Sequence, residues 1–159
     1  MSECCQEILP LMKTVYTLAD ALANDPGRVT RTQALTLDSS RPRMGLKGGH
    51  GLFASVAWWQ SIEAGRLQTQ TLTGIVERRY FAGQDSRRGD QANSITLRLA
   101  DGSAVDESIY TQRRQDSKLF VPGATVTMTY ALDELKAQPA ADGGVDYARI
   151  VLEVSVSAG

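Results

Sequence analysis

From Leu67 onward the apolar residues recur at every second position, and that period commits the C-terminal part of the chain to extended strands. Over residues 72–81, Leu72, Gly74, Val76, Arg78 and Tyr80 alternate with Thr73, Ile75, Glu77, Arg79 and Phe81 in one long strand. Residues 93–99 place Ile95, Leu97 and Leu99 on one face, and residues 103–110 do the same with Val105 and Ile109. Residues 125–132 bring Val126, Met128, Tyr130 and Leu132 together, and residues 147–156 bring Ile150, Leu152, Val154 and Val156. Five strands with one apolar face each need a shared core, which points to an antiparallel sheet.

The turn between the second and third of these strands sets a register. A two-residue turn at Asp101-Gly102 would face Leu97 with Asp106, an apolar and a charged residue on the same side. A three-residue loop, Ala100-Asp101-Gly102, faces Leu97 with Val105 instead, with Gly102 in the left-handed conformation and a bulge after it. Because a slip of one residue reverses every side chain, the second register is expected.

Upstream the period is helical. Ile8, Leu11, Val15, Leu18 and Leu22 recur at spacings of three and four, which predicts a helix from Pro10 to the break at Asp25-Pro26-Gly27. The stripe spans about two heptads, too short for a stable coiled coil alone. It either packs on its own domain or meets a second copy in a homodimer. Residues 30–37 read as a strand, followed by a Gly- and Arg-rich connection. Leu52, Phe53, Val56, Trp59 and Ile62 then share one helix face up to Ala64-Gly65, and Trp58 falls at its edge, where an aromatic can anchor a partner. The organisation expected is an N-terminal helix over 1–27, a connection with a short helix over 28–66, and a β domain over 67–159.

The element order from 67 to 157 is long strand, hairpin, irregular stretch, strand, long loop, strand. With Thr73-Gly74-Ile75-Val76 in the first strand and Val121-Pro122-Gly123 before the fourth, it resembles the OB fold. The resemblance implies a mainly β protein with N-terminal helices and a five-stranded antiparallel barrel closed on itself. It also implies ligands on the outer face of the second and third strands, here Thr96, Arg98, Ala104, Asp106, Ser108 and Tyr110. One departure is that residues 111–118, where that fold places an amphipathic helix, have no apolar face.

Chemistry is sparse. The 159 residues carry 17 basic and 18 acidic side chains, a net charge of −1 that gives no general affinity for polyanions. The one histidine, His50, has no Cys, Asp or Glu at ligand spacing, and Cys4 and Cys5 are adjacent, so neither a metal, a cofactor nor a disulfide is expected. Asp106-Glu107 and Asp133-Glu134 point apart in extended chain, and no nucleophile motif occurs, so the chain reads as non-catalytic. No apolar run reaches the roughly 18 residues of a membrane span, and the acidic start does not match a signal peptide. The compartment expected is the cytoplasm. Gly45-Leu-Lys-Gly-Gly-His-Gly51 before a helix reads as an anion cradle or, more simply, as a connection.

Two functions remain. The first is a binding or assembly module for protein, with Leu11, Val15, Leu18, Leu22 and Trp58 as contact residues. The second is a module for single-stranded nucleic acid or nucleotide, using Lys47, Arg78, Arg79, Arg87, Arg88, Arg98, Tyr110, Arg113 and Arg114. The acids on the same face and in the loop over 133–146 favour the first.

Overall fold

The computed structural model describes residues 11–82 and 92–157. Cys4, Cys5, Ile8, Pro10, Arg87 and Arg88 lie outside the described residues. Among those described, the chain runs β1 (Met12–Thr17), α1 (Leu18–Ala23), α2 (Pro26–Leu37), α3 (Val56–Glu63), β2 (Thr69–Tyr80), β3 (Ser94–Leu99), β4 (Ala104–Ser108), a 3-10 helix (Arg114–Leu119), β5 (Thr125–Glu134) and β6 (Tyr147–Ser157). The strands form one six-stranded sheet in the order β1-β6-β5-β2-β3-β4.

All five alternating segments are strands, but the expected closed barrel does not form. The reason is β1. Thr14-Val15-Tyr16-Thr17 is an unbroken β-branched and aromatic run, which favours extended chain over the helix its spacing suggested. As a strand it lies alongside β6 and takes that edge, leaving the sheet open. The segment after β4 reaches β1 without strand pairing: the Gln112 N–H donates to the Val15 carbonyl at 2.8 Å, and the Tyr16 and Tyr110 rings lie 5.3 Å apart.

Two further expectations are corrected in the first forty residues. The helical part of the N-terminal stripe is confined to α1, whose Thr17 Oγ1 accepts the Asp20 N–H. Asp25-Pro26 also starts a helix as well as ending one: Pro26 sits in the first turn of α2, where its missing N–H costs nothing, so residues 30–37 are helix and not strand. Val15, Leu18 and Leu22 are buried within the chain and Leu11 is exposed.

The chain divides into two compact units interleaved along the sequence. The first draws its described residues from Met1–Tyr16, Leu72–Thr127 and Val154–Gly159. Its β3–β4 hairpin has the expected register, Leu97 opposite Val105, with Gly102 at φ +89° and the Leu99 N–H donating to Ser103 O at 2.8 Å. Leu97 is fully buried. Gly74 is needed for closeness: a Cβ there would stand 3.0 Å from the Leu97 Cβ and 3.1 Å from the Arg98 carbonyl. Buried Asp116 in the 3-10 helix pairs with Lys13 of β1 at 2.8 Å, and Phe120 beyond it is buried, so this stretch is anchored by a salt bridge and one aromatic in place of an apolar helix face.

The second unit comprises Thr17–Thr71 and Met128–Glu153. Its core gathers Leu18, Leu22, Leu46, Phe53, Trp58, Leu67 and Ala131. Here α3 starts at Val56, capped by Ser55, and turns Trp58 and Ser61 inward while Val56 is exposed. Trp58 is therefore a core residue and not a rim anchor. Its ring makes edge contacts with Phe53 at 5.1 Å and Trp59 at 4.9 Å. A buried indole N–H needs an acceptor, and Asp133 Oδ2 supplies it at 2.9 Å. Asp133 faces inward because the burial phase of β5 flips between Tyr130 and Ala131, both buried, after which Ala131 and Asp133 point to the core. Its other oxygen, Oδ1, is buried without a hydrogen-bond partner among the described residues.

Burial pushes the Asp133 carboxyl above the ordinary aspartate value of 3.8, against the pull of the Trp58 hydrogen bond and of His50. A raised acid means the folded chain holds the proton more tightly than the unfolded one. The wild type accordingly loses stability as pH rises from about 3.8 through the folded-state value, and the loss is constant above it. Asp133→Asn keeps an acceptor for Trp58 and removes the buried charge, so it should flatten that pH dependence and match or exceed the wild type at pH 7. Asp133→Ala strands the indole N–H and should cost about 1–3 kcal/mol. Urea titrations between pH 4 and 8 read both; a wild type more stable at pH 7 than at pH 4, relative to Asp133→Asn, would contradict the assignment. The hairpin register is tested in the same assay. Leu97→Ala should cost about 2–5 kcal/mol, and Ile75→Ala, at a half-exposed position on β2, less than about 1 kcal/mol.

Candidate functional site

Among the described residues, two of the cations proposed from sequence are already engaged by neighbours. Arg98 is spent within its own unit: Nε and Nη2 reach Glu77 Oε2 at 2.6 and 2.5 Å, and Nη1 donates to the Gly102 carbonyl. Arg78 stacks on Tyr80, 4.2 Å from the ring centre, and its Nε donates to Thr96 Oγ1, which in turn donates to Asp106 Oδ1 at 2.6 Å. Arg79 is half-buried, Tyr110 packs on Tyr16, and Arg113 and Arg114 begin the 3-10 helix. Lys47 belongs to the second unit. A phosphate backbone needs several open cations along one track. Of the described cations, Arg98 is already neutralised and Arg78 already stacked, while Lys47, Arg113 and Arg114 are exposed.

Two amides of the glycine-rich loop are already taken. The Lys47 N–H donates to Glu134 O at 2.9 Å and the Gly51 N–H to Gly48 O at 3.2 Å, so these amides face protein carbonyls and not a ligand. Leu46 bridges Leu135, and the Ser61 hydroxyl donates to the His50 carbonyl at 2.9 Å. Among the described residues no three His, Cys, Asp or Glu side chains come together as a metal set. No helix of the described residues is long and apolar enough to cross a membrane.

What the second unit does build is a pair of loops locked to each other. One follows α2 over residues 38–45; the other follows β5 over residues 135–146. Lys136 joins them. Its backbone N–H donates to Gly45 O at 2.9 Å, and its ammonium donates to the carbonyls of Leu35 at 2.6 Å, Arg41 at 3.1 Å and Asp38 at 3.3 Å. These carbonyls lie at and just beyond the C-terminal end of α2, where orphan C=O groups and the helix dipole favour a cation. Asp38 closes the first loop by accepting from the Ser40 N–H and hydroxyl at 3.0 and 2.6 Å, hydrogen bonds that hold its carboxyl below the ordinary value. In the second loop the Gln138 amide donates to Leu135 O and Asp146 O at 2.8 and 2.9 Å, and its oxygen accepts the Asp146 N–H at 3.0 Å.

Sequence reasoning missed both organisers. Lys136 and Gln138 stand in a polar loop with no pattern of their own, and the groups Lys136 binds lie about a hundred residues earlier in the chain. No local signal marks such a contact. The arrangement holds no converging acid, base and nucleophile. Chemically it presents a fixed surface.

Residues 12–157 match a protein-family model described as immunity protein RhsI2. None of the curated proteins matches the chain. The family match covers nearly all of the sequence, including every described element, and on that basis the chain belongs to the RhsI2 immunity protein family.

Proposed function

We propose that this chain is a non-catalytic immunity protein that binds an Rhs toxin and neutralises it by forming a complex. The observation that carries the reading is the family match across residues 12–157. Two features of the structure support it. Two of the cations that a nucleic-acid module would use are already engaged within the first unit, Arg98 by Glu77 and Arg78 by the Tyr80 ring. The second unit holds its surface loops with half-buried side-chain hydrogen bonds, which lowers the entropy lost when a partner orders them.

Neutralisation by binding makes inhibition stoichiometric. Titrating the purified toxin domain of the same cell with this chain should abolish toxicity at an equimolar ratio, with a single complex in light scattering. Co-expression of the two should rescue growth. Residual toxicity at a several-fold excess of the chain, with no complex at micromolar concentration, would contradict the reading. So would loss of toxicity at a small fraction of an equivalent, which would mean turnover.

A further inference from the structure

The locked loops of the second unit carry apolar side chains that the fold does not cover. Leu37, the last residue of α2, is 69% exposed and Met44 is 51% exposed. Val145 and Tyr147, on either side of Asp146, are exposed as well. The backbone next to them is held by hydrogen bonds. Lys136 holds the turn after α2, Gln138 holds Asp146, and Arg43 Nη1 donates to Gln138 O at 3.4 Å, joining the two loops. Between Ser40 and Met44 the surface dips into an open depression of about 440 Å³.

The charges of this face are unevenly used. The Asp38 carboxylate is taken by Ser40 and by Arg41, whose Nε lies 3.6 Å away, and the Asp142 carboxylate accepts the Gly144 N–H at 2.9 Å. The Lys136 ammonium is turned onto carbonyls. Among the described residues Arg43 has no carboxylate partner, and its guanidinium has donors left beyond the bond to Gln138. Exposed Met, Tyr and Arg on a rigid support are the residue types that concentrate binding energy at protein interfaces. Arg43 stands next in sequence to exposed Met44, so a toxin surface that engages both carries a carboxylate next to an apolar patch.

We infer that the face formed by Leu37, Arg43, Met44, Val145 and Tyr147 is the surface that docks the toxin, with Met44 and Tyr147 on an apolar patch and Arg43 paired to a toxin carboxylate. This rests on the immunity reading above. The depression beside Arg43 takes a side chain projecting from the toxin.

The test is the affinity of the purified toxin domain for the full chain and for four variants by calorimetry. Arg43→Glu and Met44→Asp change exposed side chains, so both should keep the wild-type far-UV spectrum and melting temperature. Each should weaken binding about 30-fold or more, the effect of losing a hot-spot residue. Ile75→Asp, an exposed apolar position in the first unit, should change binding less than about 3-fold. Arg43→Ala should also reduce the salt dependence of the affinity. If the wild type binds and Arg43→Glu and Met44→Asp bind equally well, the docking face is wrong and the immunity reading stands. Weakening by Ile75→Asp alone places the interface elsewhere and overturns the inference. If the wild type itself does not bind, the immunity reading fails and takes this inference with it.

Discussion

The second unit depends on the hydrogen bond between the Trp58 indole and Asp133. An indole N–H buried without an acceptor is costly, and a carboxylate buried without a donor is more so; here each offsets part of the other's cost, 2.9 Å apart. The pair fixes which way β5 faces at its end, and everything beyond follows in sequence. With Asp133 inside, Glu134 presents its carbonyl to the Lys47 N–H, Leu135 bridges Leu46, and Lys136 stands where its backbone meets Gly45 and its ammonium meets the end of α2. Two residues later Gln138 organises the second loop. A core tryptophan and a surface loop are thus connected through six consecutive residues of one strand and its exit.

The first unit depends on a different constraint, the fate of a strand edge. β1 gives β6 a neighbour and keeps the sheet open. It is held by more than its ladder: Lys13 pairs with buried Asp116, Thr14 Oγ1 lies 3.2 Å from Ser155 Oγ, and the Val15 carbonyl accepts from Gln112. Edge strands invite pairing with other chains, and these contacts occupy both sides of this one.

What was legible in the sequence divides by the range of the interaction that decides it. The five strands from β2 to β6 could be read because a two-residue period is a local property, and the Leu97–Val105 register because a wrong turn would bury Asp106. The N-terminal elements could not. Val15, Leu18 and Leu22 satisfy a helical spacing, yet Thr14-Val15-Tyr16-Thr17 goes to a strand because β6 offers it an edge. Trp58 and Trp59 compete for one core position, and the choice falls to Trp58 because α3 starts four residues after Leu52 and Asp133 waits as acceptor. Asp133 itself reads as half of a polar pair in a loop, and its burial follows from the flip of phase at Tyr130-Ala131. Of the candidate site, the basic residues were visible but not their partners, since Glu77 neutralises Arg98 across a strand pair and a bulge.

In the reading proposed above the chain acts by occupying a toxin, and surface loops held by half-buried cation and amide contacts suit that role. The most direct measurement is hydrogen–deuterium exchange on the chain alone and in complex with the toxin domain. The account predicts that added protection concentrates in residues 36–46 and 136–147, on loops that already exchange slowly where Lys136 and Gln138 hold them, with residues 94–110 unchanged. Protection confined to residues 94–110, with the two loops exchanging as in the free chain, would contradict it.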